Sequence, residues 1–123
     1  MASAANQSGM KPGTQICTLK YRQPSESILS EEGEVVLLVV KSGHKATLYA
    51  HRDLKLLIAG RDQQYVEEFI QYVIPRAQES PDELFEYLSG FAAGPIFAHE
   101  VTSFDEAWIA ARYPEFSPEP KRP

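Results

Sequence analysis

The sequence predicts one α+β domain: an antiparallel or mixed sheet of three to five strands with two or three helices packed on one face. Three observations carry that prediction. Apolar residues alternate with period 2 through the first half of the chain, their spacing changes to the helical period after Asp62, and 123 residues suit a single core. The domain is expected over residues 15–114, between a disordered leader at 1–14 and a Pro-rich disordered tail at 115–123.

Cys17, Leu19 and Tyr21 alternate with Thr18, Lys20 and Arg22, the pattern of a half-buried strand that Pro24 ends. Val35 to Val40 is apolar on both faces and rich in β-branched residues, so it is the expected central strand. Lys41-Ser42-Gly43-His44 turns the chain into a second alternating stretch, Lys45 to His51, and the two form a hairpin. Leu54 to Ala59 fits a third strand or a short helix opened by Asp53, and the strand is preferred. Val66, Phe69, Ile70, Val73 and Ile74 then recur at helical spacing, with Glu67, Glu68 and Gln71 outward, up to an end or kink at Pro75. Ser80-Pro81-Asp82-Glu83 reads as a capping box for a second helix with Leu84, Phe85, Leu88 and Phe91 inward, stopped by Gly94-Pro95. Ile96 to Thr102 reads as a strand, reached by a crossover that would make part of the sheet parallel. Ser103 to Glu106 opens a last helix, with Phe104, Ala107, Trp108 and Ala111 inward.

Charge narrows the function classes. The chain carries 12 basic and 17 acidic residues, and residues 60–91 alone hold two of the basic and seven of the acidic ones, so the whole net charge of -5 sits on the two central helices. That balance disfavours a nucleic-acid partner, whose phosphates call for clustered Lys and Arg. The leader lacks the apolar run of a secretory signal, and the longest Val/Leu run, Val35 to Val40, is far below the roughly 20 residues of a membrane-spanning helix. A lone Cys17 offers no intramolecular disulfide, which points to a reducing, cytoplasmic setting, and its strand position points to a buried thiol.

Motifs with chemistry are few. His51-Arg52-Asp53-Leu54-Lys55 resembles the catalytic loop of protein kinases, in which the Asp accepts the substrate hydroxyl proton and an Asn five residues later binds magnesium. Here that later position is Ile58, and no Gly-rich phosphate loop, DFG or APE accompanies the string, so Arg52 and Asp53 read as turn residues. His44, His51 and His99 are scattered without metal-ligand spacing, and neither a metal nor an organic cofactor is expected. His99 shares its predicted face with Phe97 and Val101, while Glu100 falls on the opposite one. Ser117-Pro118 and the PxxP from Pro120 are short patterns of the kind any Pro-rich tail supplies.

Two functions from different classes follow. The first is a non-enzymatic interaction module, an adaptor, inhibitor or auxiliary subunit, whose acidic helical surface meets a protein partner with a basic surface. Its candidate contact residues are Tyr65, Glu67, Glu68, Tyr72, Asp82, Glu86 and Tyr87, since tyrosines bordering an acidic face supply contact area at little rotamer cost. The second is a small enzyme or ligand-binding domain with His99 central and His51 and Glu100 as further catalytic candidates.

Overall fold

A computed structural model describes residues 14–23, 33–103 and 106–119. Strand β1 (Gln15–Tyr21) pairs with β2 (Glu34–Ser42), and β2 with β3 (Lys45–His51). Helix α1 (Leu54–Leu57) and a 3-10 turn at Gly60–Asp62 lead into the long helix α2 (Gln63–Glu79), followed by α3 (Pro81–Leu88). The two-residue β4 (Ala92–Ala93), β5 (Ile96–Thr102), α4 (Glu106–Arg112) and β6 (Phe116–Glu119) complete the chain. The molecule is a single α+β domain built on one antiparallel sheet, with strands in the order β4-β5-β1-β2-β3-β6.

Strand β2 occupies the middle of the sheet and is buried on both faces, as its continuous Val/Leu run requires. Leu37 and Val39 join Cys17, Leu19, Tyr21, Leu48 and Ala50 on one face, where Val66, Phe69, Ile70, Val73 and Ala77 of α2 and Leu84, Phe85 and Leu88 of α3 close over them. Leu38 and Val40 face the other way and meet Ile16 and Ile109 of α4. Three helices therefore cover one face, and the last helix covers the opposite one. Within α4 the buried anchor is Ile109, while Ala107 and Ala111, expected to face inward, are exposed; the side chains of residues 104 and 108 lie outside the described ones.

Two register shifts shape the sheet. Leu19 lies opposite Leu37 and Lys20 opposite Val35, so Val36 is the extra residue of a bulge. The bulge sends Val36 and Leu37 into the same helix-covered core, which a strict alternation forbids. On the other side of β1, Leu19 opposes Ala98 and Thr18 opposes Glu100, which leaves His99 as a second extra residue.

Several expectations differ from the structure. Leu54 to Ala59 is not a strand: the Asp53 carbonyl accepts the Leu56 and Leu57 amides at 2.8 and 3.0 Å and starts α1. Leu54 and Leu57 then rest on the core, while Leu56 projects outward. With no strand there, no parallel crossover forms, and the chain returns from α3 through the β4–β5 hairpin to pair antiparallel with β1. Pro75 neither ends nor breaks α2, which continues to Glu79. Both Pro75 and Gln71, whose carbonyl loses its amide partner to the proline, lie on the exposed side, where water can serve that carbonyl. Ser80 makes no side-chain cap; its amide donates to the Arg76 carbonyl at 2.8 Å and its own carbonyl accepts the Leu84 amide at 3.0 Å, so one residue closes α2 and opens α3. Within the expected disordered tail, Phe116–Glu119 forms β6 on the edge of β3. The expected leader, apart from Thr14, and residues 120–123 lie outside the described residues.

The β1 end is fastened to the start of α2. The buried Tyr21 hydroxyl donates to Asp62 Oδ2 at 2.5 Å and accepts the Ala59 amide at 3.1 Å. Gly33 passes so close that a Cβ there would lie 2.3 Å from the Tyr21 carbonyl oxygen, at a φ of +149°.

Truncating the fully buried Leu88 to Ala is expected to lower unfolding free energy by about 2–5 kcal/mol, through lost transfer energy and the cavity left behind. Leu56→Ala, at a side chain 84% exposed, should change it by no more than about 0.5 kcal/mol. Urea titration of both variants checks the pair.

Candidate functional site

The helix pair α2–α3 sets its apolar seam on the sheet, and at the outer rim of that seam the aromatic residues gather. Tyr72 lies one turn before Arg76 on α2, and Tyr87 lies near the end of α3, and the packing of the two helices brings the rings together at 5.7 Å between centroids. Tyr87 meets Phe91 at 5.4 Å, and Phe91 meets the buried Phe69 at 5.1 Å, all three pairs tilted as aromatic quadrupoles favour. The row thus runs from core to solvent, and its outer members Tyr72 and Tyr87 are 39% and 49% exposed. Tyr65 stands at the other end, half-buried over the β4–β5 turn, where a Cβ on Gly94 would touch its ring at 3.4 Å. Burial, and secondarily the nearby Tyr87, raise the Tyr65 hydroxyl above its ordinary pKa.

Arg76 holds one of the rings in place. Its guanidinium carbon lies 3.6 Å from the Tyr72 centroid while Nη1 donates to the Tyr72 carbonyl at 2.9 Å. This cation–π contact covers one face of Tyr72 and limits its rotamers, so the exposed pair is ordered before anything binds.

The acidic candidates divide into three groups. Glu68 is exposed one turn before Tyr72 and accepts from Gln64 Nε2 at 3.1 Å; Glu86, and with it Glu83, which was not among the candidates, are exposed and form no ion pair with a described residue. Asp82, by contrast, is bound within the molecule: it receives Lys41 Nζ at 2.7 Å. That hydrogen bond and the charge behind it hold the Asp82 carboxyl below its usual pKa. Glu67 lies on the other flank of α2, in the wall of a cavity with Leu54, Lys55 and Ile70. The structure therefore gathers Tyr65, Glu68, Tyr72 and Tyr87 along one surface, whereas Glu86, four residues after Asp82, falls on the Asp82 side of α3 and Glu67 lies on the other flank of α2. Phe91 and Arg76, which complete the row, were missed because helical spacing assigns Phe91 to a core stripe. The pairing of Arg76 with Tyr72 at i, i+4 was the available signal.

The histidine candidates do not converge. The bulge moves Val101 to the Cys17 side of the sheet and leaves His99 beside Glu100, overturning the expected faces; His99 Nε2 lies 4.0 Å from Glu100 Oε1, both side chains substantially exposed. His51 sits on β3, separated from β5 by β1 and β2. Its Nδ1 accepts the Asp53 amide at 3.0 Å, its Nε2 lies 3.8 Å from Glu115, and its ring meets Phe116 edge-on at 5.1 Å, so it fastens β6 to the β3 end. Arg52 and Asp53 form the turn before α1, on the wall of a cavity of about 450 Å³ whose rim includes Leu56 and Glu119. A second cavity, of about 410 Å³, lies between α4 and the second sheet face, walled by Leu38, Val40, Tyr49, Ile109, Tyr113 and Phe116. Neither has His99 in its wall. Among the described residues, no three His, Cys, Asp or Glu side chains come close enough to hold a metal ion.

Cys17 is fully buried, and desolvation pushes its thiol up to about 12. No helix among the described residues is long and apolar enough to cross a membrane. Comparison of the chain with protein-family models, curated proteins and solved structures finds no match. The reading of its surface rests on its own residues.

Burial and the hydrogen bond to Asp62 likewise push the Tyr21 hydroxyl up to about 12, from an ordinary 10.0, so folding favours its neutral form. The associated stability is complete below pH 10.0 and is lost as pH rises towards 12. Unfolding free energy from urea titration should fall over this window, and Tyr21→Phe should lose stability at pH 8 but show a shallower alkaline fall. A pH dependence of identical slope in the variant contradicts the assignment. Cys17, by the same burial, should resist a thiol reagent in the native state at pH 8 and react once urea unfolds the chain.

Proposed function

We propose that this protein is a non-enzymatic protein-interaction module that engages its partner through the outer α2–α3 surface. The observation that carries the reading is the exposed Tyr72–Tyr87 pair, continuous through Phe91 with the core and fixed by Arg76. Large, pre-ordered aromatic side chains gain contact area with little entropy lost on binding, which is why such residues dominate binding energy at interfaces. Glu68 and Glu83 beside the pair, with Glu86 on the adjoining face of α3, give the surface an acidic rim, suited to a partner of opposite charge and to discrimination against acidic ones. An adaptor, inhibitor or auxiliary subunit of a cytoplasmic assembly fits this arrangement.

The reading that centres on His99 finds less support. Its three candidates are split between two strands, and the pair His99 and Glu100 stands on an exposed bulge and lines neither of the two cavities described above.

Affinity capture from native lysate tests the proposal by comparing the natural chain with the double variant Tyr72→Ser, Tyr87→Ser. Both substitutions are at exposed positions and should leave the unfolding midpoint within a few degrees. A stoichiometric partner retained by the natural chain should fall at least tenfold with the variant, since loss of two interface tyrosines costs about 1–2 kcal/mol each or more. The same partner captured equally by both proteins contradicts the proposal.

A further inference from the structure

Resting on that interface reading, we infer that the α2–α3 surface selects arginine: its occupant is a partner segment that lays a guanidinium on the exposed ring of Tyr87 and presents it to Glu83.

Charge complementarity and ring geometry together define this occupant. Tyr72 has one face covered by Arg76 at 3.6 Å, whereas Tyr87 touches its neighbours Tyr72 and Phe91 at tilted angles of 47° and 52° and is 49% exposed. Glu83 lies one helical turn before Tyr87, on the same face of α3, and Glu86 is exposed on the adjoining face. Neither forms an ion pair with a described residue, in contrast to Asp82 on the same helix, which Lys41 neutralises. An exposed aromatic ring with a carboxylate one turn away on the same helix face matches a cation that has both a flat face and several in-plane donors. Guanidinium is that cation: its plane stacks on the ring while its N–H groups reach carboxylate oxygens in the same plane. An ammonium is compact and strongly hydrated and has no plane to stack; Lys41, bonded to Asp82, stays 5.9 Å from the Phe85 ring. Within the molecule, guanidinium groups stack closely on rings, Arg76 on Tyr72 at 3.6 Å and Arg22 on Phe97 at 4.3 Å, each donating to a backbone carbonyl.

The surface as a whole disfavours an acidic or purely apolar occupant. Residues 60–91 carry seven acidic groups against two basic ones, and one of those two, Arg76, is stacked within the site itself. An acidic segment would meet Glu68, Glu83 and Glu86 without compensation, and an apolar one would strip water from those carboxylates without replacing it.

The full chain can be titrated by calorimetry or by NMR shifts with two eight-residue peptides, one alternating Arg and Gly, the other Lys and Gly, at equal ionic strength. The expected result is that the Arg peptide binds at least fivefold more tightly and moves resonances of Tyr87 and its neighbours on α3. Tyr87→Leu should abolish that preference and leave the weak affinity for the Lys peptide unchanged, and Glu83→Gln with Glu86→Gln should weaken both. Circular dichroism of the variants verifies that they fold. Equal binding of the two peptides, or an Arg preference that survives Tyr87→Leu, overturns the inference. Binding of neither peptide also overturns it, and leaves the interface reading standing if the capture of a partner still depends on Tyr72 and Tyr87.

Discussion

The structure depends on one constraint: the apolar run from Val35 to Val40 lies mid-sheet and must be shielded from water on both sides. Every other element can be read as a response to it. Strands β1 and β3 satisfy its backbone, α2 and α3 cover Leu37 and Val39, and α4 with β6 covers Leu38 and Val40. The bulge at Val36 belongs to the same solution, since it lets two consecutive apolar residues point into the larger core. Without it, the start of β2 would turn one of them towards the less covered face.

The proposed interaction surface is a by-product of how that cover is made. To shield the sheet, α2 and α3 must pack side by side with their apolar stripes inward, and the residues at the border of each stripe then meet at the seam. On these helices the border residues are Tyr65, Tyr72 and Tyr87, and Phe91 joins them from three residues beyond α3. The core fixes the seam from below through Phe69 and Phe91, and Arg76 fixes it from above. Rigid support of this kind is what allows exposed rings to bind without first being ordered.

Much of the fold was legible because hydrophobic period reports the environment of an element directly. The alternation at Cys17, Leu19 and Tyr21, the two-sided run in β2 and the stripe of α2 all read correctly. Local pattern failed where a single hydrogen bond or a neighbouring strand decided the outcome. Leu54 to Leu57 is too short for its period to separate strand from helix, and the Asp53 carbonyl settles it. The faces of β5 were misjudged because a bulge is set by the register with β1, which no single strand encodes. Four residues near the C-terminus became β6 because β3 had an open edge for them to join, a fact of topology rather than of composition. The site was legible in part for the same reason. The three tyrosines and Glu68 of the candidate surface could be named from their helix positions, whereas the diversion of Asp82 to Lys41 required β2 and α3 to be placed together.

The account rests on the claim that contact with a partner occurs at the tyrosine seam rather than at the histidine-bearing edge of the sheet. Site-specific photo-crosslinking in cells measures this most directly, with p-benzoylphenylalanine introduced at position 87 in one protein and at position 99 in another. The account expects one discrete crosslinked species from position 87, mapped by mass spectrometry to an arginine-bearing segment, and none from position 99. Crosslinking from position 99 with none from position 87 would contradict it.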